Sequence, residues 1–257
     1  MKDPNEYNVR AVERALQIMD CFDDEHPEMG ISEIAQVVGL HKATAYRIVT
    51  TLVNYDYLEW MPDSQKYKLG LELSNLGYKV IRRMDLRREA LPHMRKLVQE
   101  WDETCDLSIF NQGRAFYIEV LRGNHALTIA AAVGQRLPIH CTASGKLFLA
   151  YLPPEEMNAI LNQPLTAYTE NTITSPEMLR DHLEVVRERG YAVDVEEYEL
   201  GICAIAAPIF DRRGTVIAAI GGPSPTSRMT PERITEIAEA YKEAGQAISR
   251  RMGYGQL

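Results

Sequence analysis

Apolar residues recur along this chain with two periods, and the change from one to the other divides it. Up to about residue 101 the repeat is helical, three to four residues. Val9, Val12, Leu16, Met19 and Phe22 predict a first helix with a buried stripe. Ile31, Ile34, Ala35 and Val38 predict a second, short one, with Ser32 as N-cap and Gly39 where a helix stop needs positive φ. Ala45, Ile48, Val49 and Leu52 form the inward stripe of a third helix. Tyr57, Leu58, Trp60, Tyr67 and Leu69 then bracket the polar run 62–68, which reads as a β-hairpin. Leu71, Leu76, Val80 and Ile81 suggest a connecting helix over 69–86, and a further helix is expected over Leu91–Trp101.

From Asp106 the pattern changes to short β-rich runs: 107–110, 115–121, 127–133, 191–197, 203–210 and 215–222. Turn signals separate them, among them Asp211–Gly214 between the last two. Three helices are expected among these strands. One covers Ser144–Tyr151; the others open on Ser175-Pro176 and Thr230-Pro231, each an N-cap followed by proline at the first helical position.

Helix, turn, helix and hairpin together make a winged helix. On the third helix the side opposite the apolar stripe carries Ala43, Arg47, Thr50 and Asn54, flanked by Lys42, Tyr46 and Thr51. No acid occurs between Gly39 and Tyr55. Cationic, hydroxyl and amide side chains are the groups that contact base edges and phosphates, and N-terminal turns of such helices face the bases. His41, Lys42, Ala43, Thr44, Tyr46, Arg47 and Thr50 are therefore the groove-facing candidates. Ser64, Gln65 and Lys66, at the hairpin tip, are candidates for the sugar-phosphate backbone.

Charge complicates this reading. Residues 1–68 hold more acids than bases, clustered over 20–28, whereas nucleic-acid modules are usually basic. The cations stand locally apart from them, at Lys42, Arg47, Lys66 and Lys68, so weak, salt-sensitive binding strengthened by two copies is expected. The whole chain of 257 residues has a net charge of −8, and 46% of it is hydrophobic, enough for two cores. It has no apolar run of membrane-spanning length and a polar start without a signal peptide's apolar core, so a cytoplasmic protein with no membrane partner is expected. Cys21, Cys105, Cys141 and Cys203 are widely spaced, which speaks against disulfides or a cysteine-rich metal site; neither metal nor cofactor is expected.

Four segments in order resemble the IclR family of bacterial transcriptional regulators over nearly the whole chain. They are LHKATAYRIVTTL (40–52), YKLG (67–70), GQRLPIHCTASGKLFLA (134–150) and RGYAVDVEEYELGICAIAAPIFDRRG (189–214). The resemblance implies an α+β protein. A winged helix-turn-helix would occupy 1–70, a connecting helix 71–90, and a GAF-like effector-binding domain 91–257. It also implies homodimers or homotetramers on palindromic double-stranded DNA operators. Carried over position by position, it places the effector at Thr128, Ala131, Ile139, Gly145, Asp194, Ile202, Ala204, Gly221 and Pro223. Backbone N–H groups near Ser144–Lys146 would favour an anionic ligand, and the family's small organic acid effectors agree with that.

Two departures bear on the effector. Many members carry Cys where Ala204 stands; here Cys203 precedes it, on the other face of a strand. Many carry SISGP where this chain has Gly221–Pro225, so two carboxylate-binding serines give way to Gly221 and Pro223. The expected function is a repressor of a catabolic operon, controlled by a carboxylate or sugar acid. Two other readings stay open. One is a metabolite-processing enzyme with a vestigial helix-turn-helix, with Ser144, His140 and Asp194 as an imaginable triad although no G-x-S-x-G elbow is present. The other is a sensor acting through protein contacts.

Overall fold

The computed structural model describes residues 8–23, 25–82 and 85–255. The chain is α+β and forms two compact units, Met1–Arg83 and Met84–Leu257.

The first unit is built from α1 (Arg10–Met19), α2 (Ile31–Val37), α3 (Lys42–Asn54), the antiparallel hairpin β1 (Leu58–Met61) and β2 (Lys66–Leu69), and α4 (Leu71–Arg82). Ile18, Phe22, Met29, Ile34, Val49, Leu52, Leu58 and Tyr67 form its core. Trp60 packs across the hairpin on Tyr67, ring centroids 4.7 Å apart. Gly39 takes φ +66° and lets the chain turn sharply between α2 and α3. Ser32 is not the cap of α2: the N-cap is Gly30, whose N–H donates to the Glu33 carboxylate at 2.6 Å.

The stripe expected on the first helix is also displaced. Ile18 and Phe22 are buried, but Val9, Val12 and Leu16 are 65%, 56% and 53% exposed. The inward face runs through Ala15, Ile18, Met19 and Phe22, about one position from the face the spacing suggested. Val80 and Ile81 lie outside the described side chains.

The helix expected to start at Leu91 begins six residues earlier. It is α5 (Asp85–Trp101), and it contains Pro92. Leu86 and Ala90 are buried in the second unit's core, so the end of the expected connector belongs to that core.

Six strands follow: β3 (Cys105–Asn111), β4 (Arg114–Leu121), β5 (Arg136–Pro138), β6 (Ala192–Val195), β7 (Ile202–Phe210) and β8 (Val216–Pro225). They form one antiparallel sheet in the order β5-β4-β3-β8-β7-β6. Alternation gives it two apolar faces. Leu107, Ile205, Ala207 and Ile220 pack against α5 and α9 (Pro231–Arg251). Ala115, Ala192, Ala206 and Ala219 pack against α6 (Ala143–Tyr151) and α8 (Pro176–Arg189). Ser175 and Thr230 cap α8 and α9 through their side chains, each followed by proline, as the spacing predicts. The short helix α7 (Pro154–Leu161) and strand β5 had no legible signal.

The run 127–133 is not a strand. It crosses from β4 to β5 as an irregular segment, held by Arg122 donating to the Ala131 carbonyl at 3.2 Å and Arg228 donating to the Leu127 carbonyl at 3.3 Å. Leu127 and Val133 are exposed, so no sheet neighbour rewards its β-like composition.

Candidate DNA-reading helix and effector cavity

The helix-turn-helix presents α3 to solvent. Ala45, Val49 and Leu52 are buried, whereas His41, Lys42, Ala43, Tyr46, Arg47 and Thr50 are exposed and Thr44 is half-buried. Lys42 and Arg47 form no ion pair among the described residues. His41 caps α3 by backbone alone, which leaves the first-turn N–H groups of Lys42 and Ala43 open to an anion. Arg10 and Arg14 on α1 line a groove together with Thr44, Arg47 and Thr51. Sequence reading missed these two arginines, since they are far from α3 along the chain.

The hairpin tip differs from expectation. The Ser64 hydroxyl donates to Glu28 at 3.2 Å, Lys66 lines a groove with Glu25, Glu28 and Glu33, and Lys68 pairs with Glu59 at 3.3 Å. Ser64 and Lys68 are thus held by the unit's own acids and Lys66 lies beside three more, whereas Arg10, Arg14, Lys42 and Arg47 on α1 and α3 form no ion pair among the described residues.

In the second unit a cavity of about 60 Å³ opens between the sheet, the start of α6 and the irregular segment. Of the effector candidates, Ala131, Asp194, Ile202, Ala204 and Pro223 line it. Thr128, Ile139, Gly145 and Gly221 do not. Ile129 and Ala130 take the place of Thr128, and Ile139 is buried in the core. Gly145 and Gly221 are glycines for packing: a Cβ at Gly145 would lie 2.4 Å from the Ile139 carbonyl oxygen, and one at Gly221 2.2 Å from that of Ile205. The lining also includes Asp106, Tyr117, Gln135, Leu137, Thr142, Ala143, Ser144, Tyr198, Glu199 and Gly222. The legible signal for Asp106 was a lone acid in a strand, on the same period-2 face as Ser108 and Phe110.

The Thr142 hydroxyl caps α6. It accepts from Gly145 N–H at 3.2 Å, and the Thr142 carbonyl accepts from Lys146 N–H at 2.8 Å. Two of the N–H groups expected to be free are therefore used, and those of Ala143 and Ser144 remain without an acceptor among the described residues.

Beneath the cavity lies a buried ionic cluster. The Lys146 ammonium has no solvent exposure; it donates to the Glu197 carboxylate and, at 2.7 Å, to the Val193 carbonyl. Glu197 N–H in turn donates to Asp194 Oδ1 at 2.8 Å. Burial raises the Glu197 carboxyl against the pull of Lys146. Burial pushes Asp194 and Asp106 each up to about 7, opposed at Asp194 chiefly by Lys146 and at Asp106 by a hydrogen bond from Tyr117.

The imagined triad is not assembled. His140 Nε2 meets the Thr166 carbonyl at 2.9 Å, away from Ser144 and Asp194. All four cysteines are free, and Cys203 is buried on the opposite face of the sheet from Ala204. Among the described residues no group of three His, Cys, Asp or Glu side chains is placed to hold a metal, and no helix is long and apolar enough to cross a membrane.

Comparison with known proteins decides what these two sites belong to. Residues 11–62 match the IclR helix-turn-helix domain, and residues 78–250 match the bacterial transcriptional regulator IclR C-terminal domain. The chain belongs to the IclR family. It is 36% identical to the HTH-type transcriptional regulator XynR of Escherichia coli (strain K12), over 96% of this chain and 98% of that protein. It is 32% identical to the glycerol operon regulatory protein of Streptomyces coelicolor, over 97% and 99%. An IclR regulator structure from Alicyclobacillus acidocaldarius superposes with a TM-score of 0.86 at 30% identity, covering 96% of this chain and all of that one. An IclR homologue from Microbacterium hydrocarbonoxydans, complexed with 4-hydroxybenzoate, gives 0.82 at 29% identity, covering 94% and 98%. This IclR-family chain is accordingly a DNA-binding transcriptional regulator with a small-molecule effector domain, and not an enzyme.

Proposed function

We propose that this IclR-family regulator is a repressor of a catabolic operon. In this reading Lys42, Thr44, Tyr46 and Arg47 read a palindromic operator in the major groove. The observation that carries it is the exposed face of α3, cationic, free of acids and without internal ion pairs. Arg10 and Arg14 support it, since they extend the same positive surface toward phosphate. Ser64, whose hydroxyl donates to Glu28, and Lys66, which lines a groove with Glu25, Glu28 and Glu33, take a lesser part than their position at the tip suggested.

A palindrome calls for two copies. The exposed stripe of Val9, Val12 and Leu16 on α1 supports a homodimer, because nothing among the described residues of its own unit covers it. Two dimers making a tetramer is compatible with the same stripe.

The effector occupies the cavity beside Ser144, Asp194 and Ala204. A carboxylate or sugar acid fits there: the Ala143 and Ser144 N–H groups at the start of α6 receive the carboxylate. That a homologue was crystallised with 4-hydroxybenzoate supports an organic acid. Effector contacts that differ between two dimer arrangements then shift DNA affinity.

Arg47→Ala tests the reading of α3. On DNA fragments that the wild-type protein selects from a random pool, the variant loses sequence-specific retention, while the second unit keeps its melting transition. Footprinting of the same fragments by the variant refutes the assignment.

A further inference from the structure

The effector cavity is lined by acids and by no base. Asp106, Asp194 and Glu199 face it, and the lining contains no Lys, Arg or His. The nearby cation, Lys146, is committed to Glu197. Asp106 is only 2% exposed, and its Oδ1 has no hydrogen-bond partner in the protein. A buried acceptor left in that state keeps its full desolvation penalty, so it is a site where a ligand's donor gains the most.

The sheet register places these acids. Asp106 on β3 is level with Gly221 on β8 and Ala206 on β7, and Asp194 on β6 is level with Ala204 on β7 and Pro223 on β8. Both acids project from the face that packs under α6. Between them on this face lie Gly221, Ala206, Ala204 and Pro223, none of which has a hydrogen-bonding side chain; of these, Ala204 and Pro223 line the cavity. The strands bearing the two acids are three spacings apart, ~14 Å between backbones at ~4.8 Å each. One donor cannot serve both, so the ligand has to present donors at separated positions.

We propose that the effector is a short polyhydroxylated carbon chain whose hydroxyls donate to Asp106 and Asp194, and that Asp106 discriminates it from an unhydroxylated acid of the same length. This rests on the reading of the cavity as the effector site. A hydroxyl suits these partners better than an ammonium. Both carboxyls titrate near neutrality, and a hydroxyl donates to the ionised form or accepts from the protonated one, whereas an ammonium has no lone pair to accept the protonated carboxyl's O–H and gains charge pairing only from the ionised form. The aliphatic Ala204 and Pro223 leave the C–H faces of such a chain against an apolar floor.

The test is calorimetric titration and thermal shift of the full-length protein with matched probes of three to six carbons. Glycerate, threonate, ribonate and gluconate are compared with propanoate, butanoate, pentanoate, hexanoate and 4-aminobutanoate. At least one hydroxylated acid is expected to bind roughly a hundredfold or more tightly than its unhydroxylated counterpart, since a site built to bond a hydroxyl rejects the analogue lacking it. Asp106→Leu is expected to lower that affinity at least tenfold with little effect on alkanoates. Asp106→Asn, isosteric, guards against misfolding: it should fold like wild type and still bind more tightly than the leucine variant. Equal or tighter binding of alkanoates or 4-aminobutanoate overturns the proposal, as does an unchanged affinity in Asp106→Leu. Ala204→Phe, which fills the cavity, separates the two readings. Alkanoate binding that this variant abolishes leaves the cavity assignment standing and removes the hydroxyl one. Binding that survives it, or no response to any probe, removes both.

Discussion

Replacing Lys146 by methionine tests whether the buried ionic cluster holds the effector cavity in shape. Methionine matches the length of the lysine stem but supplies no donor. The change leaves the Glu197 carboxylate and the Val193 carbonyl without the ammonium both now share. Glu197 Oε2 already lacks a partner, so the residue has nothing in reserve. Removing one member of a buried pair costs about 3–5 kcal/mol, because the remaining charge stays desolvated. At ~2–4 °C per kcal/mol for a unit of this size, the second unit's melting transition falls by roughly 10 °C.

The assay is differential scanning calorimetry of the full chain, with the two units' transitions treated separately. Two controls sharpen it. The double variant Lys146→Met with Glu197→Leu removes the stranded charge together with its partner and should recover half or more of the loss. Lowering the pH should also help the single variant. Burial already raises the Glu197 carboxyl, and without Lys146 it rises further, so protonation relieves the defect. The deficit is therefore larger at pH 8 than at pH 5. A single variant within 1 kcal/mol of wild type, or a double variant no better than the single, refutes the reasoning. Because Glu197 N–H holds Asp194 at 2.8 Å, effector affinity should fall with stability in the single variant.

Asp106→Asn should remove a pH dependence. Burial raises the folded-state carboxyl to about 7, so its stability contribution is intact below about pH 4 and is lost as the pH rises toward 7. Chemical denaturation should show the variant gaining on wild type over that interval, by up to about 4 kcal/mol at ~1.4 kcal/mol per pK unit, and by nothing at pH 4. Gly145→Ala should destabilise the second unit by several kcal/mol, because its Cβ meets the Ile139 backbone rather than a movable side chain; urea midpoints check this. Val12→Asp with Leu16→Asp should leave the helix-turn-helix folded by circular dichroism but lower the sedimentation-derived mass, if α1 carries the dimer contact.

Local patterning carried much of the architecture. The period of Ala45, Ile48, Val49 and Leu52 fixed which side of α3 faces inward, and therefore that Lys42, Tyr46 and Arg47 face outward. Ser175-Pro176 and Thr230-Pro231 marked two helix starts, because capping is a contact between residues three apart. The Asp211–Gly214 turn was legible for the same reason: Asp211 Oδ1 accepts from the Arg213 and Thr215 N–H groups, within four residues.

What required the tertiary structure were facts set by distant partners. The run 127–133 has strand composition, yet Arg122 and Arg228 hold it out of the sheet and over the cavity. The wing's Ser64 and Lys66 look available along the chain, and the fold brings Glu28 and its neighbours beside them. Asp106 is one acid among many until the register sets it on the same face as Asp194, three strands away across small residues of β8 and β7. Periodicity reports which side of an element is buried, because burial repeats with the element's geometry. It does not report what lies opposite, and the charge of a buried carboxyl, the reach of an arginine and the shape of a cavity all depend on that.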